Sequence, residues 1–240
     1  MKKIALWILF MVTLIGTPNG YAETKKWGDI AELSYVQTSG NTQTQTILLN
    51  NTLKYIPNER VIGLWNINIL KGETANVQTA DRFFTELRAD YKWTERRYGF
   101  GTISTLKDTF AGLKSRNAVG VGVGYIFIKT AKDTLMGEVG LIHTMEKLTT
   151  QIDRDYLAGR LFGKFTHAFT EKNMFLQSLE YIPDFDQQNN YLVNSETALV
   201  ANLSGNLSLK TSYLLRYDNE PPAGKKRADN TVSAAVVANF

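Results

Sequence analysis

Hydrophobic and polar residues alternate along most of this chain, in runs of about 10 to 14 residues, longer than ordinary strands. From Arg82 onward, Phe83, Thr85, Leu87, Ala89, Tyr91 and Trp93 share one face, and Arg82, Glu86, Arg88, Asp90 and Lys92 share the other. Leu207, Leu209, Thr211, Tyr213, Leu215 and Tyr217 oppose Ser208, Lys210, Ser212, Arg216 and Asp218 in the same way. Val119, Val121, Val123, Tyr125 and Phe127 oppose Gly120, Gly122 and Gly124. A helix would scatter these positions around its circumference, whereas a strand sorts them onto two faces. Twelve such runs are predicted: 26–37, 45–56, 61–71, 82–94, 98–110, 117–128, 134–146, 154–167, 174–183, 191–203, 207–218 and 229–240.

The connections alternate as well. Pro57–Arg60, Thr94–Arg97, Thr130–Asp133, Thr170–Asn173 and Ser204–Asn206 read as tight turns. The connections between them, Thr38–Thr44, Gly72–Asp81, Ala111–Arg116, Lys147–Asp153, Asp184–Asn190 and Asn219–Ala228, read as mostly longer polar loops. An even number of strands with turns at one end and loops at the other describes an all-β fold: a closed, antiparallel, up-and-down transmembrane barrel of an outer membrane. Alternation alone fits a soluble, lipocalin-like barrel too. Two features select the membrane form. Aromatics gather on the apolar parity at strand ends: Trp27, Tyr55, Trp93, Tyr98, Phe127 and Phe165 at the turn end, with Tyr35, Phe83, Tyr191 and Tyr217 at the loop end. Such girdles mark the two headgroup depths. The chain also stops at Phe240, behind Ala238, Val236, Ala234 and Val232 at alternate positions, the form of an outer-membrane insertion signal. Twelve tilted strands enclose a backbone cylinder about 24 Å across, with a lumen of about 10 Å or less.

The one long apolar run is N-terminal. Lys2-Lys3, an apolar stretch from Ile4 to Ile15, a Gly16-Thr17-Pro18 break and small residues Gly20 and Ala22 before Glu23 make residues 1–22 a cleaved secretory signal peptide. Residues 23–240 then form the barrel, with both termini in the periplasm. Of 240 residues, 43% are hydrophobic and 11% aromatic, which excludes a disordered chain. The pI near 9.1 rests on 27 Lys and Arg against 23 Asp and Glu. Loss of Lys2 and Lys3 reduces the net charge from +4 to +2, so there is no nucleic-acid signature. The absence of cysteine removes disulfides, thiolate metal sites and lipoprotein anchoring.

With a barrel in view, the chain resembles the YdiY-like family of salt-induced outer-membrane proteins, whose molecular function is not established. The residues that carry the resemblance are Trp27-Gly28, Ala31-Glu32-Leu33, Thr38-Ser39-Gly40-Asn41-Thr42, Gly120 to Tyr125, Leu209 to Tyr213, Arg216 to Asn219 with Pro221, and Phe240. The resemblance implies a barrel, an outer-membrane location and a stress-linked pattern of expression. It brings no catalytic residue with it.

The polar parity is unusually ionic. Alternation places Lys54, Arg82, Arg88, Lys92, Lys107, Arg154, Arg160, Lys164, Lys210 and Arg216 inward, facing Glu32, Glu86, Asp90, Glu138, Glu146, Glu180, Glu196 and Asp218. Confined charges of both signs should pair, which predicts either a salt-bridged interior or a narrow channel lined by charged rings. Gly99, Gly101, Gly120, Gly122, Gly124 and Gly140 are assigned inward, as sites of curvature and packing or as an open strip of wall. The two histidines offer little chemistry. His143 falls on the lipid parity with no nucleophile beside it, and His167 shows no partner, whereas a general base needs both a nucleophile and an orienting group. No cofactor or metal motif is present. Lys225-Lys226-Arg227 in the last loop suit lipopolysaccharide phosphates or simple solvation. The expected function is a narrow or plugged channel for small polar solutes, or a structural envelope barrel. A lipid-modifying enzyme using His143 is the alternative. Expected partners are outer-membrane lipid and lipopolysaccharide, with periplasmic chaperones and the barrel-assembly machinery during biogenesis.

Overall fold

Every alternating run becomes a strand. The computed structural model describes residues 26–38, 44–149 and 152–240; the predicted signal peptide at 1–22 and the Ser39–Thr42 motif lie outside them. The strands are β1 (Trp27–Thr38), β2 (Thr44–Tyr55), β3 (Val61–Thr74), β4 (Val77–Lys92), β5 (Arg97–Asp108), β6 (Leu113–Lys129), β7 (Asp133–Leu148), β8 (Arg154–Ala168), β9 (Asn173–Pro183), β10 (Tyr191–Ser204), β11 (Leu207–Asp218) and β12 (Ala228–Asn239). Each pairs antiparallel with its sequence neighbours, and β12 returns to β1 to close the cylinder.

The turn end is built on a repeated device. Thr94, Thr130 and Thr170 each turn their hydroxyl oxygen back to accept the backbone N–H groups two and three residues on. A short polar side chain thereby replaces the ladder bonds that end with the strand.

The loop end departs from expectation in two places. Gly72–Asp81 is not a loop: β3 and β4 continue through it and meet in a two-residue hairpin at Ala75-Asn76, with φ of 50° and 65°. Two successive positive φ values give the hairpin twist that suits paired strands. The pair lacks the usual glycine, so the sequence carries no hairpin signal, and the polar alternation continues the strands past the membrane. β6 likewise begins earlier than expected, at Leu113, while β5 ends at Asp108, two residues short of its expected run, leaving a short turn over 109–112 where Gly112 takes φ 78°.

The wall faces as a membrane barrel must. Leu87, Val121, Leu161 and Leu199 are more than half exposed on its outer surface. The buried residues Tyr98, Phe100, Ser212 and Glu138 lie within. Trp27 stacks on Tyr55 at 4.2 Å at the turn end, and Tyr191 sits between Tyr181 and Tyr217 at the loop end. One strand is reversed relative to the sequence assignment. In β5, Tyr98, Phe100, Thr102 and Ser104 point inward, while Gly99 and Gly101 face out and Lys107 lies outside with 56% of its side chain exposed. Gly99 takes the outer face because the Trp93 ring lies across it, 3.0 Å from where a Cβ would stand. Tyr98 therefore leaves the predicted aromatic girdle for the lumen.

Closure is uneven. Between β1 and β12 the Cα pairing runs from Ile30↔Asn239 to Leu33↔Val236, extended below by mutual backbone bonds between Asp29 and Phe240. Above Leu33 the two edges face one another unpaired, whereas β1 stays paired with β2 up to Thr38. The chain has no cysteine, which makes the seam easy to probe. An Ala31→Cys/Ala238→Cys pair should oxidise to a disulfide in the folded barrel, read as a reduction-sensitive mobility shift on a denaturing gel. Tyr35→Cys/Ala234→Cys, on the same diagonal above the paired segment, should give several-fold less.

Candidate functional site: a charge belt across the lumen

The site begins with a space in the wall. β6 and β7 bring Gly120, Gly122, Gly124 and Gly140 to the inner surface, and β5 lays aromatic rings across them. A Cβ on Gly124 would stand 2.2 Å from the Tyr98 ring, and one on Gly122 would stand 2.4 Å from Phe100 and 2.5 Å from the Val139 carbonyl oxygen. The glycine strip is thus neither bare wall nor an open side. It is the bed on which Tyr98 and Phe100 lie, so that both rings fit inside a cylinder this narrow.

The charges assemble on these rings. Arg88 (β4) lies over Phe100 at 4.3 Å, and Arg160 (β8) lies near the same ring and 4.8 Å from Phe162. Between the two guanidinium groups sits Glu138 (β7), its side chain 1% exposed. Arg88 donates to both its oxygens at 2.6 and 3.1 Å, Arg160 donates at 2.6 Å, and the Tyr98 hydroxyl donates at 2.7 Å. Arg88 also holds Asp90 at 2.7 Å. Arg160 holds Glu180 at 2.6 Å, and Asn194 donates to that carboxylate at 2.9 Å. A continuous chain of charge-assisted bonds therefore crosses from β4 to β10. Bidentate and shared contacts of this kind are the strong ones, since each buried charge is both neutralised and hydrogen-bonded.

The rest of the belt is softer. Lys210 binds Glu32 at 3.0 Å and Glu196 at 2.8 Å. Asn50 donates to Glu32, Asn68 to Asn50, Asn66 to Glu86, and Thr52 to Asn66. Toward the loop end, Glu146 accepts from Arg116 at 2.6 Å and from the Tyr156 hydroxyl at 2.7 Å. Arg82 faces Asp108 at 3.6 Å without a hydrogen bond at its Nε. Among the described residues, the side chains of Lys92, Lys164 and Arg216 make no hydrogen bond, and no ion pair within 4.0 Å.

Sequence parity therefore brought Arg88, Asp90, Glu138 and Arg160 together, with Glu196 and Lys210 as a second group. Arg82, Glu86 and Arg216 lie in the lumen but outside the tight chain. Tyr98, Phe100, Asn50, Asn66 and Asn68 were missed. The asparagines do carry a signal, because they occupy the inward parity of β2 and β3 between Leu49, Leu53, Ile67 and Ile69.

Both histidines have partners. His143 Nε2 meets Asp155 Oδ1 at 2.7 Å on the lipid side, and His167 Nδ1 meets Asp133 Oδ1 at 2.7 Å, where no partner was expected for His167. Among the described residues no hydroxyl hydrogen-bonds to either ring. His143 is an oriented imidazole without a nucleophile.

Removing the hub tests the belt. Glu138→Ala leaves two guanidinium groups facing each other, and should lower stability by about 3–5 kcal/mol, read as the urea midpoint of the detergent-folded barrel. Glu95→Ala, at the exposed Lys129–Glu95 pair, should leave that midpoint unchanged within experimental scatter.

Known proteins share this fold. The family model described as "Protein of unknown function, DUF481" matches residues 31–240. The chain is 23% identical over 188 residues to "Uncharacterized protein YdiY" of Escherichia coli (strain K12), covering 78% of this chain and 73% of that one. The NanC porin superposes with a TM-score of 0.53 at 8% identity, over 88% of this chain and 98% of its own. An outer-membrane channel of Pseudomonas putida F1 gives 0.51 at 10% identity, over 89% and 94%. At such identities the likeness is one of fold, and the fold is that of outer-membrane barrels. With the family model matched over residues 31–240, most of its length, the chain belongs to the DUF481 family.

Proposed function

We propose that this barrel is a narrow passage for small polar solutes across the outer membrane, stiffened and partly closed by the charge belt. One observation supports it above the others: the lumen is filled on one side only. Tyr98, Phe100, Arg88, Glu138 and Arg160 pack the half lined by β4 to β8. Against β1 to β4 and β10 to β12 remains a cavity of about 250 Å³, walled by Asn50, Asn66, Asn68, Glu32 and Lys210. Above it opens a larger one of about 790 Å³ that reaches the loop end. The two share Leu70, Phe84, Glu196, Leu214, Arg216 and Thr231 as wall residues. A solute crossing the barrel would pass this neck and then a stretch of amide groups, which hydrogen-bond a polar solute without holding it as tightly as a bare charge does.

The same belt also supports the reading of a structural envelope barrel, since a braced cylinder needs no traffic. A lipid-modifying role for His143 has less support, because its ring is oriented by Asp155 but faces no attacking group. Export belongs to the proposal as well: cleavage after Ala22, recognition of Phe240 by the barrel-assembly machinery, and delivery by periplasmic chaperones. The outer-membrane form should then begin at Glu23, read by N-terminal sequencing.

Planar-bilayer recording decides between passage and brace. Folded protein should give small discrete steps, and Phe84→Ala, which removes the ring at the neck, should enlarge them several-fold. Val121→Ala on the lipid face should not. Silence from a preparation whose gel mobility changes on boiling would overturn the passage.

A further inference from the structure

We infer that the loop-end cavity is a binding site for small anions, carboxylate or phosphate solutes, held between Arg82 on β4 and Arg216 on β11 with Arg116 on β6 beside them. It deepens the passage reading by giving the solute a class, and it rests on that reading for its purpose but not for its test.

Two guanidinium groups at this cavity, those of Arg82 and Arg216, make no hydrogen bond among the described residues. Arg82 has only 12% of its side chain exposed, yet its Nε has no partner and its nearest carboxylate oxygen, on Asp108, stands 3.6 Å away. The side chain of Arg216, opposite in the lumen, has no hydrogen bond and no ion pair among the described residues, although Asp229 is its register partner on β12. Arg82 lies within electrostatic range of Arg216 and Arg116 as well as of Asp108 and Asp229, so guanidinium groups and carboxylates share one space. Buried N–H groups are almost always satisfied, and an exception calls for a missing partner.

Three of the carboxylates facing the same space have one oxygen engaged. Glu146 is held by Arg116 and Tyr156. Asp108 accepts the Ala111 backbone N–H at 3.0 Å, and Asp218 accepts that of Glu220 at 3.0 Å. Formal charge around the cavity is close to balanced, yet the guanidinium donors of Arg82 and Arg216 are not matched to it by hydrogen bonds. An acceptor-only guest completes the site, and the planar guanidinium fork matches a carboxylate or phosphate edge. At about 790 Å³ the cavity has the size of a small-molecule site. Lys225, Lys226 and Arg227 of the last loop stand at its wall, so the basic triplet that suited lipopolysaccharide also lines the approach to the arginines.

The test uses the full mature barrel folded in detergent, titrated calorimetrically with succinate, inorganic phosphate, sucrose and tetramethylammonium. Succinate or phosphate should bind saturably, sucrose and tetramethylammonium should not, and the better anion names the group preferred. Arg82→Gln/Arg216→Gln should weaken anion binding at least tenfold while the boiled-versus-unboiled gel shift persists. Arg82→Lys/Arg216→Lys, which keeps charge but loses the fork, should fall between. Lys129→Gln at the turn end should bind as the parent does. Failure of both anions to bind the folded protein, or equal binding by the double Gln variant, would overturn the site. Binding by a barrel that is silent in bilayers would leave the site standing and remove the passage; conductance without binding would do the reverse.

Discussion

Hydrocarbon offers the peptide backbone no hydrogen-bond partner, and most of what this chain does follows from that. A strand in lipid must pair on both edges, so the sheet must close, and a closed sheet of tilted strands has an inside and an outside on alternate residues. The period of two is thus the form in which the membrane's constraint is written along the sequence. Leu87, Val121 and Leu199 are exposed for the same reason that Arg88, Glu138 and Arg160 are enclosed. The β1–β12 seam is where the constraint is least fully met, because pairing stops at Leu33↔Val236 while both strands continue.

Enclosure then sets the electrostatics. Charges in a lumen this narrow share little water, so each must find its counter-ion among the residues opposite, several strands away. Arg88 and Glu138 are fifty residues apart and separated by two intervening strands. Their contact needs the correct stagger of every ladder between them. The aromatic bed makes that contact possible. Phe100 raises both guanidinium groups off the wall toward the axis, and the glycines of β6 and β7 make room for the ring.

Much of this was legible in the sequence, for reasons specific to each strand. β4, β6 and β11 set large apolar residues against charges, small polar residues or glycines almost throughout, with Phe84, Ile126 and Leu214 as the exceptions, so their faces are unambiguous. β5 is not of that kind. Its glycines resemble the inward glycines of β6, and Lys107 resembles a lumen charge, so parity alone turned the strand the wrong way. The error hid Tyr98 and Phe100. The Ala75-Asn76 hairpin was hidden because the chain takes positive φ there without glycine. Which inward charges meet was not legible either. Alternation states which face a residue is on, while the stagger between distant strands, set by ladder register, states whom it touches.

The bed of glycine beneath Tyr98 also ties two positions together over evolutionary time. A side chain at residue 124 would collide with the ring at 98, so neither position can drift alone. Among related barrels a bulkier residue at the first should travel with a smaller one at the second, and such paired exchange, visible in a deep set of sequences, would record the depth to which this lumen has been filled.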